Sequence, residues 1–277
     1  MPASHCLFLV VAFVVLAIIT KVIFGTVTCG RLAETQLYNN KPFTEQDEHS
    51  WLGRIIYRYV NGSSTYRCAA VLLDSRNVLA PALCLKGKAI QEHTPHAVTF
   101  ETPECLSVGS VPRAFEIERI FVPPEYNETA YQNDLAVIRL AEEVPFSKTV
   151  QPICLPQSAE NSRALAGMNL ELIGHELGNY RPDSLRVKTH AHMLDQTLCQ
   201  KLYQQISPQQ ICGYVSGSPL QAGSILVGVR LIDGEPVQYY LIGHLLAGYN
   251  EIVDGADLFM YIAPYKDWIE KIMKTEN

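Results

Sequence analysis

Nowhere in the 277 residues do lysine and arginine gather into a run that would follow a phosphate backbone. The 22 basic and 28 acidic residues are mixed along the chain, for a formal charge of −6 and a pI near 5.8, which excludes the electrostatic footprint of a nucleic-acid partner. Internal repeats and low-complexity linkers are missing, and no helical periodicity is sustained before the C-terminal tail. Charged residues are sparse at 18%, whereas hydrophobic residues reach 48%, ample for the core of one large β domain or two small ones. No complete set of metal ligands is legible. His190 and His192 share the alternate spacing of one strand face but lack cysteine or paired-carboxylate support. Neither a metal nor a cofactor is therefore expected.

The N-terminal stretch is apolar from Cys6 to Ile19 and is closed by Lys21, with Gly25 as a small residue at a cleavage point. This reads as a signal peptide over residues 1–25, followed by a linker segment over 26–36. A spanning helix needs about 20 apolar residues, so a membrane anchor requires Val22–Phe24 as well and stands second. Removal of Cys6 with the leader leaves Cys29, Cys68, Cys84, Cys105, Cys154, Cys199 and Cys212. In an oxidising compartment an odd count implies three bridges and one thiol that is free or tied to another molecule. Asn61 in NGS and Asn127 in NET are glycan acceptor sequons, useful only to a secreted, extracellular protein.

Short runs rich in Val, Ile, Leu and Tyr recur through the body, among them WLGRIIYRYV, CAAVLLDS, NDLAVIRL, MNLELIGH, SILVGVRLI and QYYLIGHLLAGY. Turn signals such as NGSS, FVPPEY, GNYRPD, ISPQQ and IDGEP separate them. The plan is all-β, of sandwich or barrel type. The tail APYKDWIEKIMK places Tyr265, Trp268, Ile269 and Ile272 at spacings of three and four, the signature of one amphipathic closing helix.

Three segments in order carry a resemblance to a known family. CAAVLLDSRNVLAPALC is similar to CGGSLIxxxWVLTAAHC, NDLAVIRLAEEVPFSKTVQPICLP to DIALLRL followed by QPICLP, and QQICGYVSGSPL with YIAPYKDWI to QICAG, DSGGPL and YxDWI. Together these resemble the trypsin-like serine proteases over residues 37–277. The resemblance implies two Greek-key β-barrels with a C-terminal helix. It also implies bridges Cys68–Cys84, Cys199–Cys212 and Cys29–Cys154, leaving Cys105 either as a partly buried free thiol or as an intermolecular link. TVTCG resembles the linker cysteine of insect clip-domain proteases, whose inactive relatives act in extracellular immune cascades such as melanisation; no clip domain is legible in the sequence.

Acyl transfer by a serine needs a neutral imidazole to take the hydroxyl proton and a carboxylate to orient that imidazole. The resemblance puts Leu83 at the base position, Asp134 at the carboxylate position and Ser216 at the nucleophile position. An isobutyl group carries no proton, and losing the base costs on the order of 10⁶ in kcat. The same alignment gives Val215 for the aspartate that pairs with the new N-terminus on activation and Tyr214 for an oxyanion-hole glycine. It leaves only three residues between Cys212 and Ser216, and gives Gln36–Leu37 where an activator would cut after arginine. His93, His96, His175 and His244 are the other candidate bases, although a histidine on or beside a strand is more often a surface or core residue.

The leading expectation is a secreted, catalytically inactive homologue that binds other proteins, extracellular proteases or their substrates, as an adaptor or regulator. The alternatives are an active hydrolase using Ser216 with an unconventional base, and a surface protein whose leader is retained as a membrane anchor.

Overall fold

The computed structural model describes residues 29–32, 36, 38–87, 90, 92–100, 112–157, 161–203, 205–246 and 255–275. The expected leader over 1–25, most of the linker, Leu37 and Cys105 lie outside the described residues. Among the described residues no helix is long and apolar enough to cross a membrane.

The β-branched and aromatic runs form strands because their side chains pack well on a pleated surface. The first half contributes β1 (Leu52–Tyr59), β2 (Ser64–Leu72), β3 (Asn77–Ala80), a single helical turn α1 (Leu83–Lys86), β4 (His93–Thr99), β5 (Phe115–Phe121) and β6 (Ala136–Leu140). Its six strands close antiparallel in the order β1-β2-β3-β6-β5-β4. The second half supplies β7 (Asn169–Gly174), β8 (Val187–Met193), α2 (Gln196–Leu202), β9 (Gln210–Val215), β10 (Ile225–Ile232), β11 (Glu235–Leu245), β12 (Asp257–Tyr261) and the closing helix α3 (Lys266–Lys274). They close in the matching order β10-β11-β12-β9-β8-β7. Each barrel leaves no free sheet edge, so backbone groups are paired around its whole circumference.

Two turns follow directly from their residues. Gly62 takes a φ of 85° between β1 and β2, and Asp233–Gly234 adopt φ of 52° and 86° between β10 and β11. Positive φ at both central positions matches the twist of flanking strands, which is why an Asp-Gly pair favours a tight hairpin. Asn61, in the first of these turns, and Asn127, between β5 and β6, are both exposed.

One irregularity places the site. In the β1–β2 ladder Arg54 pairs with Ala69 and Ile55 with Arg67, so Cys68 is an unpaired bulge residue with a φ of 53°. A bulge turns its residue out of the ladder, and Cys68 bridges Cys84 in α1. The other implied bridges are also present: Cys199–Cys212 ties α2 to β9, and Cys29–Cys154 holds the N-terminal segment. α3 docks through buried Tyr265 and Ile269, with Trp268 and Ile272 packed beside them. Arg139 of β6 donates through Nη2 to the carbonyls of Ile272 and Thr275, at the helix end that carries a partial negative charge.

Candidate functional site

The Cys68–Cys84 bridge pins α1 to the first barrel, and Leu83 opens that turn beside the bridged cysteine. Asp134, just ahead of β6, reaches the same turn: its Oδ1 accepts from Leu83 N at 2.8 Å and from the Ala82 backbone. The structure thus brings together the first two of the three positions named from sequence. Asp134 is fully buried, and its Oδ2 has no hydrogen-bond partner. Burial raises its pKa from 3.8 to about 7, against the lowering effect of the Leu83 and Ala82 amides and with a further push from Glu128. Oδ2 keeps lone pairs with which to accept an imidazole N–H, yet the residue whose amide Oδ1 holds is Leu83, half-buried against the apolar core.

The four other histidines named from sequence do not reach that carboxylate. His244 comes nearest, with Nε2 2.8 Å from the main-chain oxygen of Asp134. It is buried, and burial pulls its pKa from 6.5 down to about 4 although this hydrogen bond works in the opposite direction. His93 lies in β4 edge-on to Tyr57 and tilted on Tyr59. His96 meets Arg58, and His175 lies 3.4 Å from Ser184 Oγ within the second barrel.

Ser216 is placed elsewhere. It is exposed just past β9, its N–H donates to the His190 carbonyl at 3.0 Å, and its carbonyl accepts from Thr189 Oγ1 at 2.6 Å. The two residues before it belong to the ladder with β8, Tyr214 opposite His192 and Val215 opposite Ala191. His192 Nδ1 meets Asn169 Oδ1 at 2.9 Å, on the outer face that it shares with His190.

The segment that does fold against the first barrel's bridge is Gln221–Ser224. Ala69, next to bridged Cys68, donates its N–H to the Ala222 carbonyl at 2.8 Å, while Gly223 N donates to Leu245 O and Leu245 N to Ser224 O. Gly223 has a φ of 85°, and a Cβ on it would lie 2.1 Å from Ala69 O, so only glycine fits this crossing. Gln221 is buried and donates Nε2 to the carbonyls of Glu176 and Asn179. Ala222, not Ser216, is therefore the residue presented at the junction with Leu83 and Asp134. The sequence carried a signal for this in QAGSIL, which follows VSGSPL directly and has the same small-residue core.

Gln36 is buried and lines a groove of about 630 Å³ with Asn39, Glu171, Lys188 and Tyr239 on the outer side of the second barrel.

A trypsin family model matches residues 43–269. The chain is 23% identical over 264 residues to phenoloxidase-activating factor 1 of Holotrichia diomphalia, covering 87% of this chain and 71% of the relative. It is 25% identical over 262 residues to CLIP domain-containing serine protease B4 of Anopheles gambiae, with the same coverage of 87% and 71%. Phenoloxidase-activating enzyme 1 of Spodoptera litura is 25% identical over 252 residues, covering 84% and 66%. With two closed barrels, three bridges and a family match over most of its length, the chain belongs to the trypsin family.

Proposed function

We propose that this chain is a secreted protease homologue without peptidase activity, acting through its surfaces as an adaptor or regulator of an extracellular protease cascade. The observation that carries this reading is the makeup of the barrel junction: a buried carboxylate beside Leu83, with Ala222 on the facing segment. Neither side chain can accept a proton or attack a carbonyl. Aligning Gln221-Ala222-Gly223-Ser224 with the family's DSGG puts glutamine in place of the activation aspartate and alanine in place of the nucleophile. That alignment also leaves nine residues rather than three between Cys212 and the nucleophile position. Moving the position from Ser216 to Ala222 thus strengthens the case for inactivity.

The cascade part of the reading draws support from the relatives, which are named as CLIP-domain serine proteases and phenoloxidase-activating proteins. A fluorophosphonate probe and a panel of peptide esters test the first part. The expected result is no labelling and no turnover; labelling that Ser216→Ala abolishes would establish an unconventional hydrolase instead. For the second part, purified chain added to insect haemolymph is expected to change the rate of protease activation with dose. A flat response would remove the regulatory role.

A further inference from the structure

Outside the junction, one cluster combines metal-ligating chemistry with an unsatisfied buried side chain. We propose that Glu48, His49 and Glu171 bind a divalent cation with the ligand preferences of zinc, at the seam between the N-terminal segment and the second barrel. One ligand atom from each residue lies within 4.8 Å of the other two. His49 Nε2 is 3.2 Å from Glu171 Oε2 and 4.0 Å from Glu48 Oε1. Nitrogen and oxygen ligands about 2.0–2.2 Å from a tetrahedral zinc stand roughly 3.4 Å apart, so a small inward movement of Glu48 completes three corners. Water would supply the fourth.

The histidine is what lifts this above an acidic cluster. His49 is 0% exposed; its Nδ1 has no hydrogen-bond partner, and its Nε2 is paired with Glu171 Oε2 at 3.2 Å, the nitrogen and oxygen that a shared cation would take up. The ring is held edge-on by Trp51 and Tyr239, with centroids 5.4 and 5.3 Å away. Its backbone is left-handed at a φ of 50° and is held there by Arg186, whose Nη1 donates to the carbonyls of Glu48 and His49. A strained, multiply anchored histidine is the kind of preorganisation that a binding site maintains.

Two carboxylates face two cations, the ammonium of Lys188 on Glu48 Oε1 and the guanidinium of Arg186 on the neighbouring main-chain carbonyls, so a divalent ion would enter by displacing Lys188 from Glu48 Oε1. Lys188 also donates to Asn39 O, so it keeps a partner when a metal takes the glutamate oxygen. The other oxygen of Glu48 stays oriented by Asn39 Nδ2 and Glu45 N. Glu171 and Lys188 line the outer groove, which gives an entry path from solvent.

Cobalt(II) added to the chelator-treated, full secreted chain provides the test. One equivalent is expected to bind with the visible absorption of a tetrahedral site, and zinc to displace it and raise the unfolding temperature. Glu171→Gln, at a partly exposed position, should leave the metal-free unfolding temperature close to that of the parent and weaken cobalt binding at least about tenfold. His192→Gln, on the outer face of β8, should leave binding unchanged. Absence of cobalt absorption, binding that survives Glu171→Gln, or binding lost with His192→Gln would each overturn the assignment.

Discussion

Asp134 is held by main-chain amides on one carboxylate oxygen and left without a partner on the other. With a folded pKa near 7 against an ordinary 3.8, the ionised form is disfavoured in the folded state. Stability associated with this group is therefore present below pH 3.8 and lost as pH rises to about 7, by up to ~4 kcal/mol. Asp134→Asn cannot ionise. The difference in unfolding free energy between variant and parent should shift in the variant's favour across that window and level off on either side, as denaturant titrations at several pH values would reveal. His244 titrates in both proteins and cancels from the difference. Gly223 makes a second residue-scale case. Gly223→Ala should cost ~3 kcal/mol or more, because it adds a clash with Ala69 O to left-handed strain. Gly217→Ala has the same strain at a φ of 82° but its nearest neighbour is 3.8 Å away, and should cost only about 1–2 kcal/mol. Comparing the two denaturant midpoints separates crowding from strain.

At the scale of elements, the strands easiest to read from sequence were those in long apolar runs: β1, β6, β7 and β10 lie within the hydrophobic segments, and β2 and β11 overlap them. β4, β5 and β8 were not legible that way, because HTPHAVT, FEIERIF and VKTHAHM mix buried with exposed side chains and their polar residues dilute the β-branched signal. The closing helix was legible from spacing alone, since Tyr265 and Ile269 fall on one stripe. Its anchor was not, because Arg139 sits far upstream and meets α3 only through folding. Arg139→Ala should destabilise the protein by about 2–3 kcal/mol and speed hydrogen exchange selectively in α3; uniform acceleration across both barrels would argue against a local anchor. The Ser216 assignment erred for a similar reason. VSGSPL carries the motif's letters, but β9 continues through Val215 in its ladder with β8, and backbone pairing decides which loop reaches the junction.

For the whole molecule, the family and the bridge pattern were legible because cysteines and strand motifs recur in order along the chain. The Glu48–His49–Glu171 cluster was not, since Glu171 lies far along the sequence from the adjacent Glu48 and His49 and only folding brings it to them. Both sequons lie on exposed loops. Enzymatic removal of N-glycans from protein expressed through a secretory pathway should therefore lower its mass in two steps, one lost with Asn61→Gln and the other with Asn127→Gln.

The Cys29–Cys154 bridge fastens the start of the described chain to the connection between the barrels, and Gly30 reinforces it through hydrogen bonds with Pro152 and Tyr239. A protease that nicked the stretch between Leu32 and Tyr38 would consequently divide the polypeptide without parting its pieces. The severed leading fragment would travel with the barrels as a light chain, to be shed only under reducing conditions.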